Sequence, residues 1–173
     1  PMTTPLVSAF QTVPLTNLLG PVIGVANGDL AVRQQIDGRL RFTGGAEHIN
    51  ANLDLSGEYP AVHPPAASIS QVISSVSSLL PFVSQTPICR IWGGLLDLTP
   101  DALPILDCVP SVNGLYIAAG FSGHGFGIAP AIGEAMASKI LGKKTSISLD
   151  AFSFERFNSQ PGSYQNSAPT LHG

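Results

Sequence analysis

Charge is the scarcest ingredient of this 173-residue chain. Asp, Glu, Lys and Arg together make up 11% of it, against roughly 25% in an ordinary soluble domain. A disordered chain is charge-rich and apolar-poor, so this composition excludes disorder for the chain as a whole; it excludes a coiled coil for the same want of flanking charge. Eight basic residues face eleven acidic ones, a formal net charge of −3, and no basic run offers a nucleic-acid surface. Long apolar runs are missing too: nothing approaches the roughly 20 consecutive apolar residues of a membrane span. Cysteine is limited to Cys89 and Cys108. Two such residues build no disulfide framework and have no metal-ligand spacing, and their apolar neighbours lead us to expect two buried free thiols. His48, His63, His124 and His172 lack paired ligand spacing as well, so no metal is expected. The first residues do not form a basic segment followed by an apolar one, so no secretory signal is expected and the location expected is cytoplasmic.

What is abundant is glycine (18), proline (15) and apolar residues (44%). One domain's worth of chain with so little charge calls for a covered surface. Along the chain, Val22–Ala26 and Leu30–Gln34 flank Asn27-Gly28-Asp29, a hairpin signal because Asn-Gly supplies the positive φ angles of a primed turn. A second turn at Asp37-Gly38 leads into residues 39–43, where Leu40 and Phe42 share one face and Arg39 and Arg41 the other. An antiparallel meander is predicted. After the proline-rich link at residues 63–65, Ile69, Val72, Ile73, Val76, Leu79 and Leu80 recur at helical spacing with serines between them, Ser68 serving as N-cap and Pro81 as terminator. Residues 88–98 read as extended, interrupted by Gly93-Gly94, and residues 115–119 as a short strand of buried type.

That strand runs directly into Gly120-Phe-Ser-Gly-His-Gly-Phe-Gly127. A second helix follows, with Ile128, Ala131, Ile132, Ala135, Met136 and Ile140 as its apolar stripe. Pro130 is expected in its first turn, Glu134 toward its positive end, and Gly142 as the C′ residue ahead of Lys143-Lys144. A strand, a glycine-rich loop and a helix N-terminus let backbone approach a flat or anionic cofactor, since four glycines remove Cβ atoms and the helix presents unpaired N–H groups. The spacing is neither the dinucleotide fingerprint G-x-G-x-x-G nor a P-loop. The same pattern also describes a tight turn that needs glycines for shape alone, and the residues leave both readings open.

The residues Arg90-Ile-Trp92-Gly-Gly94-Leu95, Leu98-Thr99-Pro100-Asp101 through Pro104-Ile105, Gly114-Leu115-Tyr116 through Gly120-Phe-Ser-Gly-His124-Gly-Phe126, and Ala129-Pro130 through Gly133-Glu134 carry a resemblance. Together with Val32-Arg33-Gln34, Gly38-Arg-Leu40 and Gly44-Gly45-Ala-Glu47 they resemble the C-terminal half of the D-amino-acid-oxidase-like FAD oxidoreductases. That family takes in sarcosine oxidases, glycine oxidase and multi-subunit amino-acid dehydrogenases, and the resemblance spans roughly residues 20 to 157. It implies an α+β fold with an antiparallel or mixed sheet, plus a strand–loop–helix that completes a partner's FAD-binding Rossmann-like domain. Residues 1–95 would be the substrate-binding portion, residues 96–157 the flavin-contacting portion, and the polar stretch 158–173 a mobile tail.

The resemblance further implies oxidation of a C–N bond of a small amine or amino acid to an imine by hydride transfer to FAD. Gly120, Ser122, Gly123, His124, Gly125, Phe126, Gly127 and Ile128 would lie against the flavin, and Arg33, Glu47 and Trp92 would face the substrate, with Arg41, His48 and Tyr59 nearby. The residues themselves favour His124 as a structural hydrogen-bonder over an acid or base, Trp92 as core packing near the pocket over a binding platform, and Asp101 as an Asx-type cap of the Thr-Pro-Asp turn. The departures carry information as well. The family's G-x-G-x-x-G segment is not in this sequence, so the resemblance implies that it is met as a separate polypeptide, as the other product of a nicked precursor, or not at all. Residues 94–97 lack the cysteine of the covalent-flavin members, so FAD is expected to be non-covalent. Gly127 stands where sarcosine oxidases place a lysine for the substrate carboxylate, and Leu96 lies near where glycine oxidase places an arginine. The missing lysine favours a dehydrogenase over an oxidase. The rival reading is a non-catalytic truncated homologue that binds or scaffolds a partner.

Overall fold

The computed structural model describes residues 2–25, 30–47 and 61–157. The chain divides into two compact units, one running from Thr4 to Leu96 and the other taking Met2, Thr3 and residues 97–157.

In the first unit five strands form one antiparallel sheet: β1 (Leu6–Pro14), β2 (Ile23–Gly24), β3 (Ala31–Gln34), β4 (Arg39–Glu47) and β5 (Ile88–Leu95), in the order β2-β3-β4-β1-β5. The meander is present as β2-β3-β4, with Ile23 opposite Val32 and Val32 opposite Phe42. The Asn27-Gly28-Asp29 turn itself lies outside the described residues. Gly38 takes φ +83° at the second turn, and a Cβ there would meet the Leu15 carbonyl oxygen at 2.6 Å. Gln34 holds this end of the sheet together. Its amide donates to the carbonyls of Thr16 and Gly38, both at 2.9 Å, and its oxygen accepts the N–H groups of Leu18 and Leu19.

Alternation along the strands puts Phe10, Val32, Leu40 and Phe42 on one face, all buried, with the Phe10 and Phe42 rings stacked 4.9 Å apart. Helix α1 (Ala66–Leu79) closes this face with Val72 and Val76, and a 3-10 turn at Pro81–Gln85 adds Val83. The N-cap is Pro65, not Ser68. Ser68 is the third helical residue, buried, and its hydroxyl is drawn to the Glu47 carboxylate on β4, so it caps nothing. Gly93-Gly94 does not interrupt β5. The chain at Val62 runs so close that a Cβ on Gly93 would meet the Val62 carbonyl oxygen at 2.8 Å, and the Gly93 N–H donates to that same oxygen.

The second unit is a hairpin of β6 (Ile105–Cys108) and β7 (Tyr116–Ala119) with helix α2 (Gly125–Ile140) packed on it. Leu106, Ile132, Ala135, Met136 and Leu149 form its core. Helix α2 starts earlier than expected, because His124 serves as N-cap. Pro130 therefore sits inside the helix and withholds an N–H from the Phe126 carbonyl, and Glu134 is its tenth residue rather than near its positive end. Ala131 and Ile140 of the predicted stripe are exposed. The C-terminus matches expectation: Gly142 has φ +65°, its N–H donates to the Lys139 carbonyl and that of Lys143 to the Ser138 carbonyl, which is a Schellman motif. Strand β7 is half-exposed rather than buried, since only one strand flanks it. Both cysteines are exposed: Cys89 lies on the edge strand β5, where its thiol donates to the carbonyls of Gln11 and Thr12, and Cys108 ends β6. No described helix is long and apolar enough to cross a membrane.

Two aspartates tie the C-terminal 3-10 turns to this unit. Asp107 pairs with Lys139 at 2.9 Å and accepts the Ser153 hydroxyl and the Phe154 N–H. Arg156 grips Asp101 with two nitrogens, at 2.7 and 3.1 Å. Partial burial pushes both carboxyls up, but the Lys139 ammonium and the Arg156 guanidinium, with the backbone donors, outweigh it and hold both below the usual carboxylate range. A carboxyl depressed on folding contributes stability that is complete above its unfolded value near pH 4 and is lost as pH falls through the folded one. Urea midpoints of this protein should therefore fall steadily as pH drops from about 5 toward 2, and Asp107→Asn should flatten that slope; an unchanged slope would exclude Asp107 as its source.

Candidate functional site

The glycine-rich loop leaves β7 at Gly120 and enters α2 at Gly125. Three positive φ angles in four residues shape it: Gly120 has φ +72°, Ser122 +51° and Gly123 +83°. A non-glycine residue in this region is uncommon, and Ser122 is held there by its surroundings. It is buried; its hydroxyl accepts the Thr99 N–H at 3.3 Å and donates to the Gly120 carbonyl at 3.2 Å, and its own N–H donates to the Asp97 carbonyl at 3.0 Å. The Asp97 carboxylate accepts the N–H groups of Gly120 (2.7 Å) and Phe121 (3.1 Å). Segment 97–99 is thus the last on which the loop is built. Asp97 carried no assigned role in the sequence reading; the available signal was its place two residues before Thr-Pro-Asp. Asp101 does cap that turn, accepting the Leu103 N–H at 3.1 Å.

The glycines separate into those the chain itself requires and one it does not. On Gly120 a Cβ would strike the Thr99 methyl at 2.4 Å, and on Gly125 it would press the Phe121 side chain at 3.1 Å. Gly123 needs its positive φ. Gly127 has helical backbone and open space where a Cβ would stand, although glycine inside a helix costs about 1 kcal/mol relative to alanine. Beside it Phe126 is 99% exposed. The α2 N-terminus has no side-chain cap, and the N–H groups of Gly125 and Phe126 find no acceptor among the described residues. The His124 imidazole makes no hydrogen bond there; the residue acts through its backbone, donating to the Phe121 carbonyl and accepting from Gly127. Ile128 turns inward against the Leu106 cluster.

Of the eight loop residues expected at a flavin, Gly123, Gly125, Phe126 and Gly127 lie on or beside the open helix end. The side chains of Ser122 and Ile128 turn into the unit, and Gly120 is buried under Thr99. A bare helix N-terminus with free N–H groups and no Cβ at Gly127 fits a flat group with an electron-rich edge.

The substrate candidates lie in the other unit and are not brought together. Glu47 faces α1 and lines a cavity of about 500 Å3 with Ser68, Gln71, Val72 and Ser75. Arg33 and Trp92 occupy the opposite face of the sheet. Trp92 is half-buried rather than part of the core, with the Arg41 and Arg90 guanidiniums each 5.1 Å from its ring centroid. His48 and Tyr59 lie outside the described residues.

A family model described as FAD dependent oxidoreductase matches residues 3–139. The chain belongs to this family, whose cofactor is FAD. Over 177 aligned residues it is 27% identical to the sarcosine oxidase subunit beta of Rhizobium meliloti (strain 1021), covering 99% of this chain and 40% of that protein. Glycine oxidase of Bacillus licheniformis is 34% identical over 94 residues, 54% of this chain and 26% of that one. Among solved structures, L-proline dehydrogenase from P. horikoshii superposes with a TM-score of 0.78 at 28% identity, covering 92% of this chain and 41% of the other. The chain therefore spans well under half the length of these relatives.

The carboxylate of Asp97 is the loop's only side-chain anchor with charge among the described residues. Asp97→Ala should speed amide hydrogen exchange at Gly120 and Phe121 at least tenfold, whereas Asp97→Asn, which retains an acceptor, should restore most of the protection. Equal protection in all three proteins would show that the backbone bond to Ser122 suffices.

Proposed function

We propose that this chain supplies the flavin-facing loop and much of the substrate domain of a FAD-dependent oxidoreductase acting on a small amine or amino acid. FAD would be held non-covalently and shared with a separate polypeptide bearing G-x-G-x-x-G, whose Rossmann-like sheet the β7–loop–α2 unit would complete. The overall reaction removes a hydride from the carbon beside the amine nitrogen and a proton from that nitrogen, leaving an imine for water to hydrolyse. FAD, when bound, supplies the hydride acceptor.

The observation that carries this reading is Gly127. It is the loop glycine that neither the backbone angle nor a neighbouring atom of this chain requires, so a bound group explains it. The free N–H groups of Gly125 and Phe126 and the positive end of α2 would stabilise negative charge on the flavin's pyrimidine edge. Gly123, Gly125 and Gly127 admit the ring system to the backbone. Phe126 would lie against it, removing a large apolar surface from water. Asp97, through Gly120 and Phe121, holds the loop in place. Glu47 lines the cavity beside α1, and its carboxylate suits an amine. With Gly127 in place of a lysine, a substrate carboxylate must find its cation elsewhere.

The names of the relatives support a subunit of a larger enzyme, and the half-exposed β7 edge supports an added strand there. Gly127→Ala tests the reading more cleanly than a change at Gly125, where a side chain already collides with Phe121. In the assembled protein, Gly127→Ala should weaken FAD retention at least tenfold, read from visible absorbance, while leaving the thermal midpoint of the flavin-free protein equal or higher. Unaltered FAD retention would mean that the flavin does not lie against α2. A wild-type assembly that is colourless even with FAD added would instead favour the non-catalytic homologue.

A further inference from the structure

Five arginines are present in the chain, and the sheet collects four of them on the face turned away from α1. Arg39 is taken by Asp37 at 2.5 Å. Arg33 lies directly opposite Arg41, Arg41 opposite Gln11, and Gln11 opposite Arg90, so three guanidiniums and one amide form a single row across four strands. At about 4.8 Å per strand the row is about 14 Å long. Among the described residues no carboxylate lies within ion-pair distance of Arg33, Arg41 or Arg90. In the next row Trp92, opposite Ala9, takes the Arg41 and Arg90 guanidiniums against its ring.

Within this unit the arrangement gains only the contacts of Arg41 and Arg90 with the Trp92 ring. Like charges directly opposite on paired strands are destabilising, and Arg33 and Arg41 are such a pair in a chain with little charge of any kind. We propose that the Arg33–Arg41–Arg90 row with Trp92 is a docking strip for an acidic segment of the polypeptide that supplies the rest of the oxidoreductase. The inference rests on the reading that such a complementary part exists. A single carboxylate neutralises the charge of one guanidinium and leaves two of the three unmatched. A polypeptide carrying several acidic side chains reaches all three. Arg33 and Arg90 are exposed and Arg41 half-buried; Arg33 borders a cavity with Gln34, Gln35, Ile36 and Asp37, but the row runs on across β4 and β1 to Arg90, the shape of an interface rather than of a small-molecule pocket. Its composition agrees, since tryptophan and arginine are the residues that most often dominate the energy of protein interfaces. The indole also restrains two of the guanidiniums before contact, which lowers the ordering cost of docking.

The test uses the assembled, flavin-bound protein with Arg33→Lys, Arg41→Lys and Arg90→Lys combined, which keeps the charge and adds amines that a zero-length carbodiimide can join to carboxylates. Mass spectrometry should find amide links from one or more of these positions to Asp or Glu of the complementary polypeptide. The corresponding Arg→Gln triple variant should weaken association at least tenfold at low salt, with the difference shrinking at high salt. Links only to acids of this chain, such as Asp54 or Glu58, would overturn the proposal, as would links to a second copy of the chain. It also falls if no link forms, whether or not a free dicarboxylate binds the strip. FAD content is read on the same samples: full flavin without links overturns the strip and leaves the proposed function standing, while links without flavin do the reverse.

Discussion

The first unit depends on the register of its central strand. Phe10 of β1 stacks on Phe42 of β4, and both β4 and β5 take their alignment from β1. Side chains alternate with period two, so a slip of one residue would bring Gln11 to the core and turn Phe10 to the other face. Everything else follows from that alignment. The core beneath α1 is the even-numbered set Phe10, Val32, Leu40 and Phe42, and the opposite face is of necessity Gln11, Arg33, Arg41 and Arg90. The Thr12 hydroxyl accepts the Leu40 N–H at the far end of β1, and register irregularities flank the aligned stretch on both sides, so the ordered pairing is bounded as well as aligned.

The second unit has a different organising constraint, the attachment of its loop to segment 97–99. One carboxylate, two backbone carbonyls and two hydroxyls within that knot dictate where a chain with three positive φ angles in four residues runs. The helix end that results is exposed and uncapped. Water satisfies the N–H groups of such an end in a chain standing alone, and a ligand with an electron-rich edge can take its place. The low charge of the chain belongs to the same account. Val22 in the first unit and Phe126 and Leu141 in the second are largely exposed, apolar side chains whose burial in a larger assembly would suit the proposed function. In contrast, the aspartates that are present are mostly engaged, Asp101 and Asp107 with the C-terminal turns and Asp97 with the loop.

Much of this was legible along the chain. The spacing of Ile69, Val72, Ile73 and Val76 defines α1, the Asp37-Gly38 turn sets up the β3–β4 hairpin, and Gly142 followed by two lysines marks the end of α2. The alternation of Leu40 and Phe42 with Arg39 and Arg41 correctly separates inside from outside. What was illegible turned on neighbours remote in sequence. Ser68 has the chemistry of an N-cap, but Glu47, 21 residues earlier, claims its hydroxyl. Pro130 has the chemistry of a first helical residue, but the helix begins where the Asp97 knot releases the chain. Cys89 and Cys108 have apolar neighbours, but those neighbours lie on strands whose edges are open. In the candidate site the loop was legible as a loop, while the division of labour among its glycines was not, because it depends on Thr99 and Phe121 standing beside two of them and nothing standing beside Gly127.

By itself the sequence determined the family, through blocks of residues whose order and spacing match it, together with the period of each helix, its stops, and the turns rich in glycine. These are local properties: they depend on backbone preferences and on side chains a few positions apart. Only the tertiary structure decided which loop glycine has open space beside it and which arginines stand together. Arg33, Arg41 and Arg90 are scattered along a chain that shows no basic cluster, and strand pairing alone sets them in one row. Pairing aligns residues by hydrogen-bond register rather than by separation along the chain, so a charge pattern absent from the sequence is present on the sheet.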